Sequence, residues 1–343
     1  MKKQYAYILG SILLVAGLLF GVKLFRDEYL PIPVDPSAEW EPFVSTLDVQ
    51  REYFFVNSDG TKLEAELFIP NGGREKKPAI VFSVGSGDSL YQNYSKGLIE
   101  TYILDLFLSR DMAVLLMNKR GKGLSEGDYT RNSIEGRAED IHAAATQIMS
   151  HPQIDESKIG LVGHSQGGWV VTRAAAEHSD IAFFISLVGP TTTVEENAVD
   201  NALNYGRCQG FEEEELAAYL EKRAKQRAMS VRIGELTNFG MFGFDSRVMG
   251  YDPRDALKKI ESPGLFVYAE NDALVTPSLS TERLHEIFDG NVPKNFSVAV
   301  VDATTHGFRL VDDVCESFEG FETYVLSEEL TEVLDTWLIE IGY

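Results

Sequence analysis

Cysteine is almost absent: Cys208 and Cys315 stand alone in 343 residues. With no C-x-x-C pair and no Cys/His cluster, neither a structural zinc site nor any other metal is expected. The two thiols are far enough apart in sequence that pairing and independence are both open. Net positive charge is missing too. The formal charge is −22, and the first thirty residues hold four cations against Asp27 and Glu28, so the body is more acidic still. Such a body argues against nucleic acid and against lying flat on an anionic membrane. The glycine-punctuated run from Arg120 to Gly127 lacks the G-x-x-x-x-G-K-[ST] spacing of a phosphate cradle and reads as a structural turn. Nothing in the chain calls for a cofactor.

Long apolar runs are scarce after the first: Tyr5 to Val22 passes without a charge, preceded by Lys2 and Lys3. Eighteen uncharged residues just span a bilayer's hydrocarbon core. No small-x-small cleavage site follows, and no cysteine marks a lipoprotein signal. An uncleaved anchor is therefore expected, with a cleaved signal peptide as the alternative. The charges before and after the run put the N-terminus in the cytoplasm and the body outside. Pro31, Pro33 and Pro36 then impose an extended linker. The chain divides into an anchor at 1–25, a linker at 26–46 and one domain at 47–343.

That domain alternates strands and helices. Arg51 to Val56 and Lys62 to Ile69 read as a hairpin around Asn57-Ser58-Asp59-Gly60. Apolar runs at 79–84, 113–117, 158–162 and 182–188, separated by helical patterns at 98–110, 134–149 and beyond 166, predict a mostly parallel sheet flanked by helices. The rhythm stops at 191–259, read as a helical cap, and resumes with strands at 264–269 and 296–301 and a last helix at 327–341.

One pentapeptide organises the rest. Gly163-His164-Ser165-Gln166-Gly167 lies between an apolar run and an Ala-rich helical stretch. A G-x-S-x-G turn from strand to helix raises its serine above the sheet's carboxyl edge and needs small neighbours. Serine near neutral pH requires a base, and among six histidines only His306 follows a late strand closely. The carboxylate should leave the preceding strand, where Glu270 and Asp272 compete; Asp272, further into the loop, is preferred. The oxyanion amides expected are those of Gln166 and of Ser86, within Gly85-Ser86-Gly87. In the cap, Phe239, Met241, Phe242 and Phe244 are too apolar for a solvated loop and are expected to line the substrate pocket, the alternative being that they fasten the cap to the core.

The order Ser165…Asp272…His306, with Gly163-His164-Ser165-Gln166-Gly167-Gly168 and Arg120-Gly121-Lys122-Gly123-Leu124-Ser125, resembles the α/β-hydrolase superfamily from about residue 50 onward. Within it, residues 81–190 look most like bacterial carboxylesterase-type hydrolases related to the serine aminopeptidase and prolyl oligopeptidase-like groups. Where many members have His-Gly, this chain has Val84-Gly85. The resemblance implies an α/β-hydrolase fold and a cofactor-free serine hydrolase acting on small acyl esters. The alternatives are an aminopeptidase, a thioesterase, or an inactive hydrolase serving as an anchored binding protein.

Overall fold

Five strands carry the hydrophobic runs that alternation cannot explain. β3 (Lys77–Ser83), β4 (Ala113–Met117), β6 (Phe183–Leu187) and β7 (Gly264–Ala269) are buried at every position, as is the second half of β5 (Ile154–His164). Strands covered on both faces must be apolar throughout, and that places them at the centre of a parallel sheet. The outer strands alternate instead. β1 (Val49–Ser58) and β8 (Phe296–Val301) expose every second residue or more. In the computed structural model, which describes residues 47–87, 89–94, 97–318 and 325–343, these strands form one eight-stranded sheet. Its order is β1-β2-β4-β3-β5-β6-β7-β8, with β2 spanning Thr61–Pro70. β1, β2 and β4 run antiparallel to their neighbours in turn, and every pair from β4/β3 onward is parallel. The first hairpin closes through Asp59 and Gly60, both at positive φ, 49° and 77°. That backbone matches the twist of the flanking strands.

Helices cover both faces. α2 (Ile134–Met149) and α3 (Gln166–Glu177) bury Ile134, Ala138, Ile141, Val170 and Ala174 in one core. The wide π-wound segment Leu98–Asp105, its continuation α1 (Leu106–Ser109) and α9 (Glu328–Glu340) build the other. β3 has β4 on one side and β5 on the other. The chain therefore reverses its direction of travel across the sheet at β3, and loops leaving β3 and β5 splay apart to open a crevice.

Between β6 and β7 the insertion is helical, as expected: α4 (Val194–Cys208), α5 (Glu213–Thr237), α6 (Gly240–Val248) and α7 (Arg254–Leu257). Thr193 and Glu196 close a capping box at the start of α4. Its last residue, Cys208, is bonded to Cys315, so the pairing left open by the sequence is made. The stretch 238–244, whose glycines and aromatics read in the sequence as a loop, is instead mostly helix. Asn238 ends α5 in the left-handed conformation, and α6 starts two residues later. After β7, α8 (Pro277–Ile287) leads back to β8. The expected anchor and linker, 1–46, lie outside the described residues. Among the described residues no helix is long and apolar enough to cross a membrane.

Candidate active site

A single residue separates β5 from α3. Ser165 has φ 57° and ψ −125°, a conformation that costs a non-glycine residue on the order of 1–3 kcal/mol. Its neighbours show what holds it there. A Cβ on Gly163 would lie 2.1 Å from the Gly167 carbonyl oxygen, and one on Gly167 would lie 2.3 Å from that of Ser83. The glycines are thus dictated by backbone closing on backbone. The Ser165 amide donates to the Leu187 oxygen at 2.8 Å, tying the turn to β6.

Asp272 and His306 come from the loops after β7 and β8. Asp272 Oδ2 lies 2.7 Å from His306 Nδ1, and Oδ1 accepts the amides of Leu274 and Val275 at 2.8 and 3.0 Å. The carboxylate is 1% exposed, and three donors satisfy it. An ionised acceptor at Nδ1 fixes the proton there and leaves Nε2 as a lone-pair base. Glu270, the competing acid, accepts the Ala303 amide at 2.8 Å and staples the two loops together.

Behind the serine lies a hydrogen-bond chain with little sequence signature. His164 Nε2 donates to the His306 carbonyl oxygen at 2.8 Å, so its Nδ1 must accept, and Tyr94 Oη donates to it at 2.7 Å. Tyr94 in turn accepts the Gly85 amide at 2.8 Å. His164 is buried, and burial pushes its pKa down to about 3, helped by the neighbouring His306. It stays neutral and acts as a spacer between the β3 loop and the β8 loop.

Arg137 adds a second brace. Fully enclosed, it gives Nη1 to the Gln166 side-chain oxygen and Nη2 to the Val84 carbonyl oxygen, both at 2.5 Å. Burial lowers its pKa to about 10, which still leaves it charged at neutral pH. Lys119 Nζ draws the Gly85 and Ser86 carbonyls to one side at 3.2 and 3.5 Å. The Gly85 amide is taken by Tyr94, whereas the Ser86 amide makes no hydrogen bond to any described residue. Gln166 opens α3, where a first-turn amide has no intrahelical acceptor. Arg137 did leave a trace in the sequence. It interrupts the apolar stripe Ile134, Ala138, Ile141 of its own helix, where a charge must have an internal partner.

Solved structures superpose on most of this chain at low sequence identity. Est1E from Butyrivibrio proteoclasticus, seen with ferulic acid, matches 84% of this chain and 98% of its own at 19% identity and a TM-score of 0.55. The alpha/beta hydrolase GrgF from Penicillium sp. sh18 matches 87% and 100% at 20% identity, TM-score 0.54. The fold is that of the α/β hydrolases. The family described as serine aminopeptidase, S33, matches residues 94–232. Among curated proteins, the polyketide transferase grgF of Penicillium sp is 33% identical over 135 residues, covering 39% of this chain and 42% of that one. A polyketide transferase of Gibberella fujikuroi is 34% identical over 124 residues, 36% of each. The chain thus matches about two-fifths of the length of these relatives. They are fungal, whereas the sequence resemblance pointed to bacterial carboxylesterases.

In this chain of α/β-hydrolase fold a cavity of about 840 Å³ opens over the elbow, bordered by Ser86, Ser165, Gln166 and His306. The aromatic residues expected to line it are elsewhere, and that expectation is corrected: none of Phe239, Met241, Phe242 and Phe244 borders the cavity. Phe244 is buried beside the Tyr129 ring, Met241 accepts from the Tyr129 hydroxyl at 3.4 Å, and Phe239 is 62% exposed. Because the segment is helical, its apolar side turns onto the core and fastens the cap. The walls come instead from α4 and α5, through Asn197, Asn201, Tyr205, Tyr219, Arg223 and Arg227, with Trp169 from α3. Among the described residues, the side chains close enough to share a cation are Glu139, His142 and His178, with ligand atoms within 4.8 Å of one another. His178 ends α3, at the opposite end of that helix from Ser165.

Proposed function

We propose that this chain is a serine hydrolase that cleaves carboxylic esters through an acyl-enzyme. The observation that carries the reading is the hydrogen-bonded pair Asp272–His306, whose histidine borders the same cavity as the strained Ser165. Ser165 Oγ attacks the ester carbonyl while His306 Nε2 takes its proton, and Asp272 stabilises the imidazolium that forms. The amides of Ser86 and Gln166 receive the oxyanion. As the tetrahedral intermediate collapses, His306 protonates the departing alcohol oxygen. Water then enters with the same base and releases the acid.

A second acceptor is a specific alternative. The curated relatives are named for polyketide transfer, so the acyl-enzyme would be passed to another nucleophile than water. The chemistry up to the acyl-enzyme is the same. For location, the Cys208–Cys315 bond supports an oxidising compartment, and we place the domain outside the cytoplasm, tethered by residues 5–22.

The test is covalent labelling. Wild-type protein should react with a fluorophosphonate probe and hydrolyse p-nitrophenyl hexanoate. Ser165→Ala should lose the label and at least about 10⁴-fold in kcat while keeping its unfolding midpoint. Retained labelling in that variant would remove Ser165 from the mechanism.

A further inference from the structure

The cavity over Ser165 has a sign opposite to that of the molecule. Among its bordering residues there is no Asp, Glu or Lys, and beside the proposed base His306 the charged side chains are Arg223 and Arg227. Both belong to α5, whose first turn holds Glu213, Glu214 and Glu215, in a chain of formal charge −22. Composition therefore does not account for two cations and no acid here.

Spacing explains how they come to border the cavity together, Arg227 half-buried and Arg223 exposed at its rim. Tyr219, Arg223 and Arg227 are four residues apart and share one side of α5. The stripe offers each arginine no acid one turn away: Arg223 has Tyr219 before it and Arg227 after, and Arg227 is followed by Val231. On another side of the same helix Lys225 is paired with Glu221 at 2.6 Å. Arg223 has one weak polar contact, with Gln226 at 3.4 Å, and among the described residues neither arginine forms an ion pair. Arg227 also borders a neighbouring cavity that contains Glu195, Arg232 and Glu235, so it stands between the two spaces. Opposite the stripe, α4 presents the amides of Asn197 and Asn201, which can donate to an oxyanion but carry no charge to neutralise the arginines.

We infer that the acyl group accepted by this site carries an anionic terminus, a carboxylate in the simplest case, held by Arg223 and Arg227. The guanidinium fork suits a carboxylate, and two such groups attract an anion more strongly than either alone. A protonated amine at the same place would meet two like charges, which disfavours an aminoacyl substrate of the kind an aminopeptidase requires. The inference rests on the proposed reaction at Ser165.

Three p-nitrophenyl esters of matched length separate the possibilities: the hexanoate, the monoester of adipate and the 6-aminohexanoate. At low ionic strength kcat/KM should fall in the order adipate, hexanoate, 6-aminohexanoate. Replacing both arginines, Arg223→Gln with Arg227→Gln, should lower the adipate-to-hexanoate ratio at least about tenfold. Arg223→Glu with Arg227→Glu should move the preference toward the 6-aminohexanoate. Taking ratios within one protein removes any loss of folded fraction. An adipate-to-hexanoate ratio near one in the wild type, or unchanged in the double variants, overturns the inference. If no ester is turned over, the hydrolase reading is what has failed. Monoethyl adipate titrated into Ser165→Ala then decides the charge question alone. Binding at low salt that disappears in the arginine-to-glutamine background supports it, and no binding refutes it.

Discussion

At the residue scale, His164 illustrates how a titratable group can be placed beside a nucleophile and kept out of the proton chemistry. Its two ring nitrogens are already committed, one to a backbone carbonyl and one to Tyr94. Protonation would put a second donor where a lone pair is needed and a charge on a buried ring. The consequence is a pH dependence of stability with a definite sign. The folded-state pKa, about 3, lies below the ordinary histidine value of 6.5. Below pH 6.5 the unfolded chain gains a proton that the folded chain refuses, so this contribution to stability is complete above 6.5. It is lost as pH falls toward 3, at up to about 1.4 kcal/mol per pH unit. Urea unfolding at pH 7 and pH 5 should therefore show the wild type losing about 2 kcal/mol more than His164→Gln over that interval. Equal losses in the two proteins would trace the acid sensitivity to other groups.

Elements are positioned by contacts that their own patterns do not announce. The elbow is an exception, because each glycine answers to a neighbour within its own turn or an adjoining strand. The cap is the opposite case. α5 buries only Gly234, so this helix is held by its neighbours rather than by an apolar face of its own. The Cys208–Cys315 bond connects the end of α4 to the segment following the His306 loop, across 107 residues of sequence. A cross-link of that span removes much of the unfolded chain's freedom, with a typical worth of about 2–4 kcal/mol. Cys208→Ser should lower the unfolding free energy by roughly that amount. Reducing agent should shift the wild type to the same midpoint and leave the variant where it is. A variant as stable as the oxidised wild type would mean that the cap is held by packing alone.

For the whole molecule, a formal charge of −22 acts against compactness. Partly buried pairs such as Arg120–Asp140 at 2.6 Å, and Lys77–Asp111 at the same distance, are less screened by salt than the surplus surface acid. Raising sodium chloride from about 20 to about 500 mM shortens the screening length from about 20 to about 4 Å. The thermal midpoint should rise by a few degrees. A falling midpoint would show that exposed ion pairs outweigh the net repulsion.

The amino-acid sequence determined what local pattern can determine. Fully apolar runs of five or six residues admit no solvated face, so β4 and β7 were legible to the residue, and Ile134–Met149 followed from its stripe. The elbow was legible because its glycines are needed within five positions of one another. Ser165, Asp272 and His306 could be nominated because each follows a readable strand. Tertiary structure alone decided the rest. Whether Asp272 or Glu270 meets His306 depends on how two loops from different strands fold over one another. Tyr94 could not be singled out, since its partners lie 9 and 70 residues away. The Phe239–Phe244 segment misled because apolar character states that a surface is covered, but not by what. Its helical turn onto Tyr129 left the cavity wall to α4 and α5, two helices of largely polar composition whose inward faces exist only once the cap is docked.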